Sequence, residues 1–200
     1  MAAVQKRVVA AFDFDGTLTS RDTLFDFLGH AYGFPSLASG VLASAGDFAM
    51  AATRLTSRSQ AKERFLGRFI QGETRDRFLQ RCQDYALRVP SLLRPMAEKK
   101  LAWHLAEGHS AYIVSASPED WILPWATQAG FAGVLATRLE VYQGRMTGRF
   151  SGVNCHGPEK VVRLQEALGP RDGYVLFAYG DSRGDRELLA YADEGHYRVF

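Results

Sequence analysis

The sequence predicts an α/β fold, a doubly wound parallel sheet with a helical unit inserted after its first strand. Three observations carry that expectation. Short β-rich runs alternate with helical patterns along the 200 residues. Three of the runs are nearly continuous apolar stretches, as strands covered by helices on both faces must be. About 75 residues without a convincing strand, Ser20 to about Pro95, then separate the first run from the second. A direct crossover between parallel strands needs far less chain.

The elements follow in order. "RVVAAFDF" (Arg7 to Phe14) is the first strand. Inside the insertion, "FPSLASGVLASAGDFAMAA" (Phe34 to Ala52) is rich in Ala, Gly and Ser and is interrupted by Asp47. It predicts a packed small-residue helix, with a helix resting on a membrane as the alternative. Ser57 and Gln60 form a capping box for a helix whose apolar face is Ala61, Phe65, Phe69 and Ile70 and which stops at Gly72. Thr74 caps the next helix, which buries Phe78, Leu79, Cys82 and Tyr85. Leu93, Ala97, Leu101 and Leu105, with Met96 alongside, make one stripe that ends at Gly108.

The second strand is "SAYIVSA" (Ser110 to Ala116), and "SPED" after it starts a helix, with Ser117 as N-cap and Pro118 in the first turn. "GVLATRLE" (Gly133 to Glu140) is the third strand, and "VYQGRMTGRF" folds as a hairpin around Gln143-Gly144. "YVLFAYG" (Tyr174 to Gly180) and "HYRVF" (His196 to Phe200) complete the sheet. Two units result: a core made of 1–19 and 96–200, and a helical cap, 20–95, over the carboxyl edge of the sheet.

Composition narrows the class. With 46% hydrophobic and 23% charged residues the chain is an ordinary globular one. Its net charge of +2 indicates no particular partner and no nucleic acid. Between Arg54 and Lys100, however, twelve Lys/Arg face five Asp/Glu. That local excess either lies on solvated helix faces or attracts an anionic substrate or an anionic membrane surface. Cys82 and Cys155 have no metal-ligand spacing and fit a reducing, cytoplasmic compartment. The N-terminus "MAAVQKRVVAAFDFDG" has too short an apolar run for an export signal. No stretch approaches the roughly 20 apolar residues that span a bilayer. Oligomeric state is not legible.

The chemistry concentrates where three strands end. Ligands of open α/β sheets bind beyond the carboxyl ends of the strands. The first strand delivers Asp13 and Asp15 there, the second Ser115, and the strand before "YGDSRGDREL" delivers Asp181, with Asp185 four residues on. Like charges so crowded resist ionisation unless a cation offsets them, and Mg²⁺ suits an all-oxygen set that also takes a substrate phosphate oxygen. Alternation puts Asp13 and Asp15 on one face while Phe14 points away. Gly16 permits the tight turn that follows, and Thr17 can hold it by hydrogen bonding.

"DFDGTLT" closely resembles the nucleophile motif of the haloacid dehalogenase superfamily of phosphohydrolases. Ser115 resembles its second motif, Lys160 in "GPEKVVRL" its third, and "GDSRGD" its acidic fourth. The likeness spans Phe12 to Asp185. The insertion is similar to the C1-type cap of the phosphoserine-phosphatase-like branch, subfamily IB, over a Rossmann-like core. The resemblance implies a Mg²⁺-dependent phosphatase acting on a small phosphate ester. In it Asp13 is the nucleophile, Asp15 the acid and base, and Ser115 and Lys160 hold the phosphoryl group. Thr17, Ala116 and Asp22 fall at substrate-binding positions. The metal set is Asp13, Asp15 (through its carbonyl), Asp181 and Asp185, the last orienting metal-bound water or Lys160 rather than ligating directly.

Departures from the phosphoserine pattern leave the substrate open. Asp22 stands where those enzymes carry Glu, and Thr19 and Asp22 also have the spacing of a capping-box-like pair. Gly16 stands where they commonly have Ser, and Arg54, Arg58 and Arg64 are only candidates for their carboxylate-binding arginine. A small soluble phosphate ester and a lipid phosphate at a membrane both remain. A non-catalytic phosphate-binding or regulatory protein would have no use for the Asp13–Asp15 pair, and the insertion is too large for a phosphoacceptor receiver. His104, His109, His156 and His196 show no ligand spacing, and Trp103, Trp121 and Trp125 serve packing.

Overall fold

A computed structural model of the chain describes residues 6–200. Met1–Gln5, which begin the segment read as carrying no export signal, lie outside it. Five parallel strands form the sheet, in the order β3 (Gly133–Thr137), β2 (Ser110–Pro118), β1 (Arg7–Phe12), β6 (Tyr174–Gly180) and β7 (Glu194–Tyr197). β1 is central because Val9, Ala10, Ala11 and Phe12 are fully buried and suit a strand covered on both faces. Alternation splits those four residues between two cores. Val9 and Ala11 pack with Leu164, Leu176 and Leu188, beneath α8 (Pro158–Leu168) and α9 (Arg186–Tyr191). Ala10 and Phe12 pack on the other face with Ala97, Leu101, Trp121 and Ile122, from α6 (Pro95–Ala106) and α7 (Glu119–Gln128). The sheet is thus doubly wound.

The insertion after β1 is helical, with α1 (Thr23–Tyr32), α2 (Phe34–Ala43), α3 (Ala45–Ala52), α4 (Arg58–Ile70) and α5 (Arg75–Ala86). Phe27 ties it to the core, stacking on Trp121 at 4.6 Å between ring centroids. Burying one such ring contributes about 1.5–3 kcal/mol by area alone. A second tie is the antiparallel hairpin of β4 (Leu139–Tyr142) and β5 (Arg145–Phe150). It grips the α4–α5 junction: Gly72 N–H donates to Met146 O at 2.8 Å and Met146 N–H to Glu73 O at 2.9 Å. Gly67 and Gly148 meet there backbone to backbone, and a Cβ on Gly67 would stand 2.8 Å from Gly148 O.

The capping box of Ser57 and Gln60 and the Thr74 cap form as the sequence predicts. Other expectations need correction. The third strand, read as Gly133 to Glu140, breaks after Thr137, because β2 gives way to α7 there and Leu139 pairs instead with Phe150. The last strand is Glu194–Tyr197 rather than His196 to Phe200, and it ends where Arg198 adopts φ +53. Phe34 to Ala52 is two helices meeting at Ser44, not one packed helix, and neither helix contains a fully buried residue. Met96 and Trp103 are more than a third exposed. Thr19 makes no box with Asp22; its hydroxyl donates to Phe14 O and Arg21 O, and Asp22 caps α1 alone through Leu24 N–H. Among the described residues no helix is long and apolar enough to cross a membrane.

Candidate active site

The register of the sheet sets the site. Phe12 lies opposite Ile113 of β2 and Tyr179 of β6, so the chains leaving all three strands emerge side by side at the carboxyl edge. The Asp13 N–H still donates to Tyr179 O at 2.9 Å, which anchors the residue as the sheet ends. Gly16 then turns the chain at φ +80, and a Cβ there would lie 2.5 Å from an Asp181 carboxylate oxygen. Only glycine satisfies both the angle and the approach.

Carboxylate oxygens of Asp13, Asp181 and Asp185 lie within 4.8 Å of one another. Lys160, fully covered in the first turn of α8, donates to Asp13 Oδ1 at 2.6 Å and to Asp185 Oδ1 at 2.5 Å. The other Asp185 oxygen accepts from Ser182 N–H and Oγ, at 3.0 and 2.8 Å. Thr17 Oγ1 reaches Asp13 Oδ2 at 3.3 Å and Asp181 Oδ1 at 3.4 Å.

Burial lifts the Asp13 carboxyl to about 7 against the pull of Lys160, and Asp185 and Asp15 add to the lift. Burial and the Asp185 charge also raise Asp181. Burial opposes ionisation of Asp185 too, but Lys160 and Ser182 outweigh it and hold the carboxyl below its usual range. The Lys160 ammonium is opposed by burial and held firmly charged by Asp13 and Asp185. Three carboxylates against one ammonium leave the crevice short of positive charge. An all-oxygen cluster of that kind fits a hard divalent cation, so the three acids could hold a metal ion.

Asp15 sits apart from that cluster's contacts. Thr23 donates to its Oδ1 through both backbone N–H and hydroxyl, each at 2.6 Å, and Ser117 Oγ donates to its Oδ2 at 2.5 Å. Ser117 therefore does not cap α7, whose N-cap is Pro118, without a side-chain bond. Ser115 is buried, and its Oγ accepts from Ser117 N–H at 3.0 Å. The Ala116 carbonyl accepts from Thr137 Oγ1 at 2.7 Å and from Lys62 Nζ at 3.1 Å.

Lys62 and Ser117 are the site residues that sequence reasoning missed. Lys62 projects from α4, and burial lowers its pKa against the opposing charges of Asp15, Asp22 and Asp13. Its signal was available: it follows Ala61 and lies four residues after Arg58, on the side that carries Phe65. Ser117 shares a strand face with Ser115 by period two, which its cap-like context concealed. Asp22 and Lys62 line one cavity of about 340 Å³ together with Phe25, Phe48, Phe65 and Arg58. Burial and Asp15 push the Asp22 carboxyl up despite the Leu24 N–H. Of the candidate arginines, Arg64 is committed elsewhere, paired with Asp47 at 3.0 Å.

Comparison with known proteins yields consistent findings. A sequence model of the haloacid dehalogenase-like hydrolases matches residues 10–190. Protein CicA of Caulobacter vibrioides is 38% identical over 195 residues, covering 96% of this chain and 86% of its own. A protein of unknown function from Bordetella pertussis superposes with a TM-score of 0.77 at 26% identity, over 93% of this chain and 87% of its own. A substrate-bound phosphoserine phosphatase shares the fold alone: TM-score 0.63, 16% identity, 94% of this chain and 84% of its own.

Proposed function

The chain belongs to the haloacid dehalogenase-like hydrolases, and on that premise we propose that it is a Mg²⁺-dependent phosphomonoesterase for a small phosphate ester. The observation that carries this is the meeting of Asp13, Asp181 and Asp185 around the Lys160 ammonium at the sheet's carboxyl edge.

Asp13 attacks phosphorus: its carboxylate forms a new P–O bond as the ester P–O bond breaks. Asp15, braced by Thr23 and Ser117, gives a proton to the departing oxygen. Water then attacks the aspartyl phosphate, Asp15 takes its proton, and phosphate leaves with Asp13 regenerated. Lys160 and Ser115 hold phosphoryl oxygens and offset charge as it shifts, with Thr17 and Ala116 at the rim. Asp13, Asp181 and the Asp15 carbonyl would hold Mg²⁺, with Asp185 holding Lys160 beside them, and the ion would supply charge neutralisation at the phosphoryl group. The helices of residues 20–95 serve as the cap, with Asp22 and Lys62 over the leaving group.

The test is hydrolysis of p-nitrophenyl phosphate. Wild-type protein with Mg²⁺ should turn over, EDTA should stop it, and restored Mg²⁺ should recover it. Asp13→Asn should be inert while its circular dichroism matches wild type. Turnover that survives either EDTA or Asp13→Asn removes the mechanism.

A lipid phosphate has one observation in its favour. Phe34, Leu42 and Leu55 are each about four-fifths exposed on or beside the two unburied helices, a pattern that suits contact with an anionic membrane surface. Co-sedimentation with phosphatidylglycerol vesicles at low salt is the discriminating measurement, and absence of binding excludes this substrate.

A further inference from the structure

The carboxylates at the edge of the sheet are not held alike. Asp13 and Asp185 share the Lys160 ammonium, Asp185 has Ser182 as well, and Asp15 has Thr23 and Ser117. Among the described side chains, only the Thr17 hydroxyl comes within hydrogen-bond distance of the Asp181 carboxylate, at 3.4 Å. The direction of that carboxylate is therefore set by its backbone.

Arg198 holds that backbone. Tyr197, which ends β7, lies opposite Gly180, which ends β6. The next N–H, that of Arg198, donates to Gly180 O at 2.9 Å, and Arg198 Nε donates to Asp181 O at 2.7 Å. Two planar peptides meet at the Asp181 Cα, and a bond on the carbonyl of each fixes its dihedrals and the direction of its side chain. Arg198 does this at φ +53, where glycine or asparagine is unstrained. Ending a strand does not require arginine in that conformation. Its guanidinium lies over the Tyr197 ring, 5.0 Å from the centroid, and among the described residues pairs with no carboxylate. Burial, then the Asp185 charge, raises the Asp181 carboxyl, and the Arg198 charge works against both. The segment itself is anchored by other side chains: His196 and Phe200 stack on Tyr179, at 4.8 and 5.4 Å between centroids.

Taking the protein as a Mg²⁺-dependent phosphomonoesterase, we propose that Arg198 is a positioning residue, which fixes the Asp181 backbone and thereby aims the Asp181 carboxylate at the metal. Groups that orient a ligand in this way contribute to metal affinity although they never touch the ion.

The experiment compares Arg198→Gly, Arg198→Ala and Arg198→Lys with wild type, in the absence of substrate. The rise of the thermal midpoint with added Mg²⁺ gives the concentration of half effect, and urea unfolding without metal gives stability. Arg198→Gly and Arg198→Ala both lose the guanidinium, but only alanine keeps the strained backbone, so Arg198→Gly should be the more stable of the two. Both should nevertheless need about ten-fold more Mg²⁺ than wild type. Arg198→Lys, which keeps a cation and a donor, should come back to within about three-fold. Mg²⁺ dependence that follows stability, with Arg198→Gly responding as wild type does, overturns the proposal, and so does wild-type protein indifferent to Mg²⁺. Binding does not depend on turnover. Wild type that binds Mg²⁺ but leaves p-nitrophenyl phosphate intact would sink the phosphatase assignment and leave Arg198 its role.

Discussion

Ser117 Oγ donates to Asp15 Oδ2 at 2.5 Å across 102 positions of sequence. With Thr23 on the other oxygen, three donors converge on one carboxylate and leave it a single orientation. Trp121 Nε1 donates in turn to Thr23 Oγ1 at 3.3 Å, so the buried ring braces the brace. A proton-transferring group depends on geometry at the scale of a hydrogen bond.

Ser117→Ala should therefore lower kcat for p-nitrophenyl phosphate about ten-fold with KM nearly unchanged, since one charge-assisted hydrogen bond is lost. Ser117→Thr should recover most of the loss. Steady-state kinetics checks both. A rise in KM alone would mean that Ser117 binds substrate and does not position Asp15.

Gly16→Ala and Gly72→Ala separate backbone strain from collision. Both residues have φ near +80, but only Gly16 faces a neighbour, Asp181, while nothing lies within 4 Å of a Cβ on Gly72. Each should cost about 1–2 kcal/mol of stability from the left-handed backbone. Gly16→Ala should in addition cut kcat/KM by about a hundred-fold or more, as a carboxylate is pushed from its place. Urea unfolding and kinetics on both variants test this; equal activities contradict it.

Lys62→Met should raise KM for anionic esters about ten-fold and change kcat by less than about three-fold, the signature of a contact made equally before and during reaction. The methylene stem and its packing are retained by the substitution. A loss confined to kcat would place the Lys62 ammonium on the reacting phosphoryl group instead.

His104 makes stability depend on pH. It is fully buried, with its ring nitrogens 2.8 Å from His109 Nδ1 and 2.9 Å from Tyr179 Oη. Burial, and then the neighbouring charges of His109, Lys100 and His196, lower its pKa to about 4. In the unfolded chain it returns to about 6.5. Below that pH the unfolded state takes up a proton that the folded state refuses. Its contribution is therefore intact above about pH 6.5 and is lost as pH falls toward 4. Between pH 7 and pH 5 the loss should be about 2 kcal/mol. Urea unfolding at both pH values should show a smaller difference for His104→Gln; an identical difference removes His104 as the cause.

Much of the fold is legible in the chain because its signals are local. "RVVAAF" reads as a doubly covered strand from composition alone, and Ser57, Gln60 and Thr74 announce two helix starts within four residues each. Other signals are local and mislead. The chain from Gly133 to Glu140 reads as one strand, but its second half has no parallel neighbour and pairs with Arg145–Phe150. Ser117 before Pro118 has every mark of an N-cap, yet Asp15 competes for the hydroxyl and wins, because a half-buried carboxylate left short of donors is costlier than an uncapped helix end.

By itself the sequence determined the strand-and-helix order, the long helical insertion, and the delivery of Asp13, Asp15, Ser115 and Asp181 to one edge, since period-two alternation and strand ends are properties of a few consecutive residues. Only the tertiary structure decided that Lys62 reaches the Ala116 carbonyl, that Lys160 lies between Asp13 and Asp185, and which arginines Asp47, Glu73 and Asp26 neutralise. Those partners lie up to 147 positions apart. Charge pairing acts over a few ångströms, and the packing of inserted helices over a twisted sheet is what brings such distances within its range.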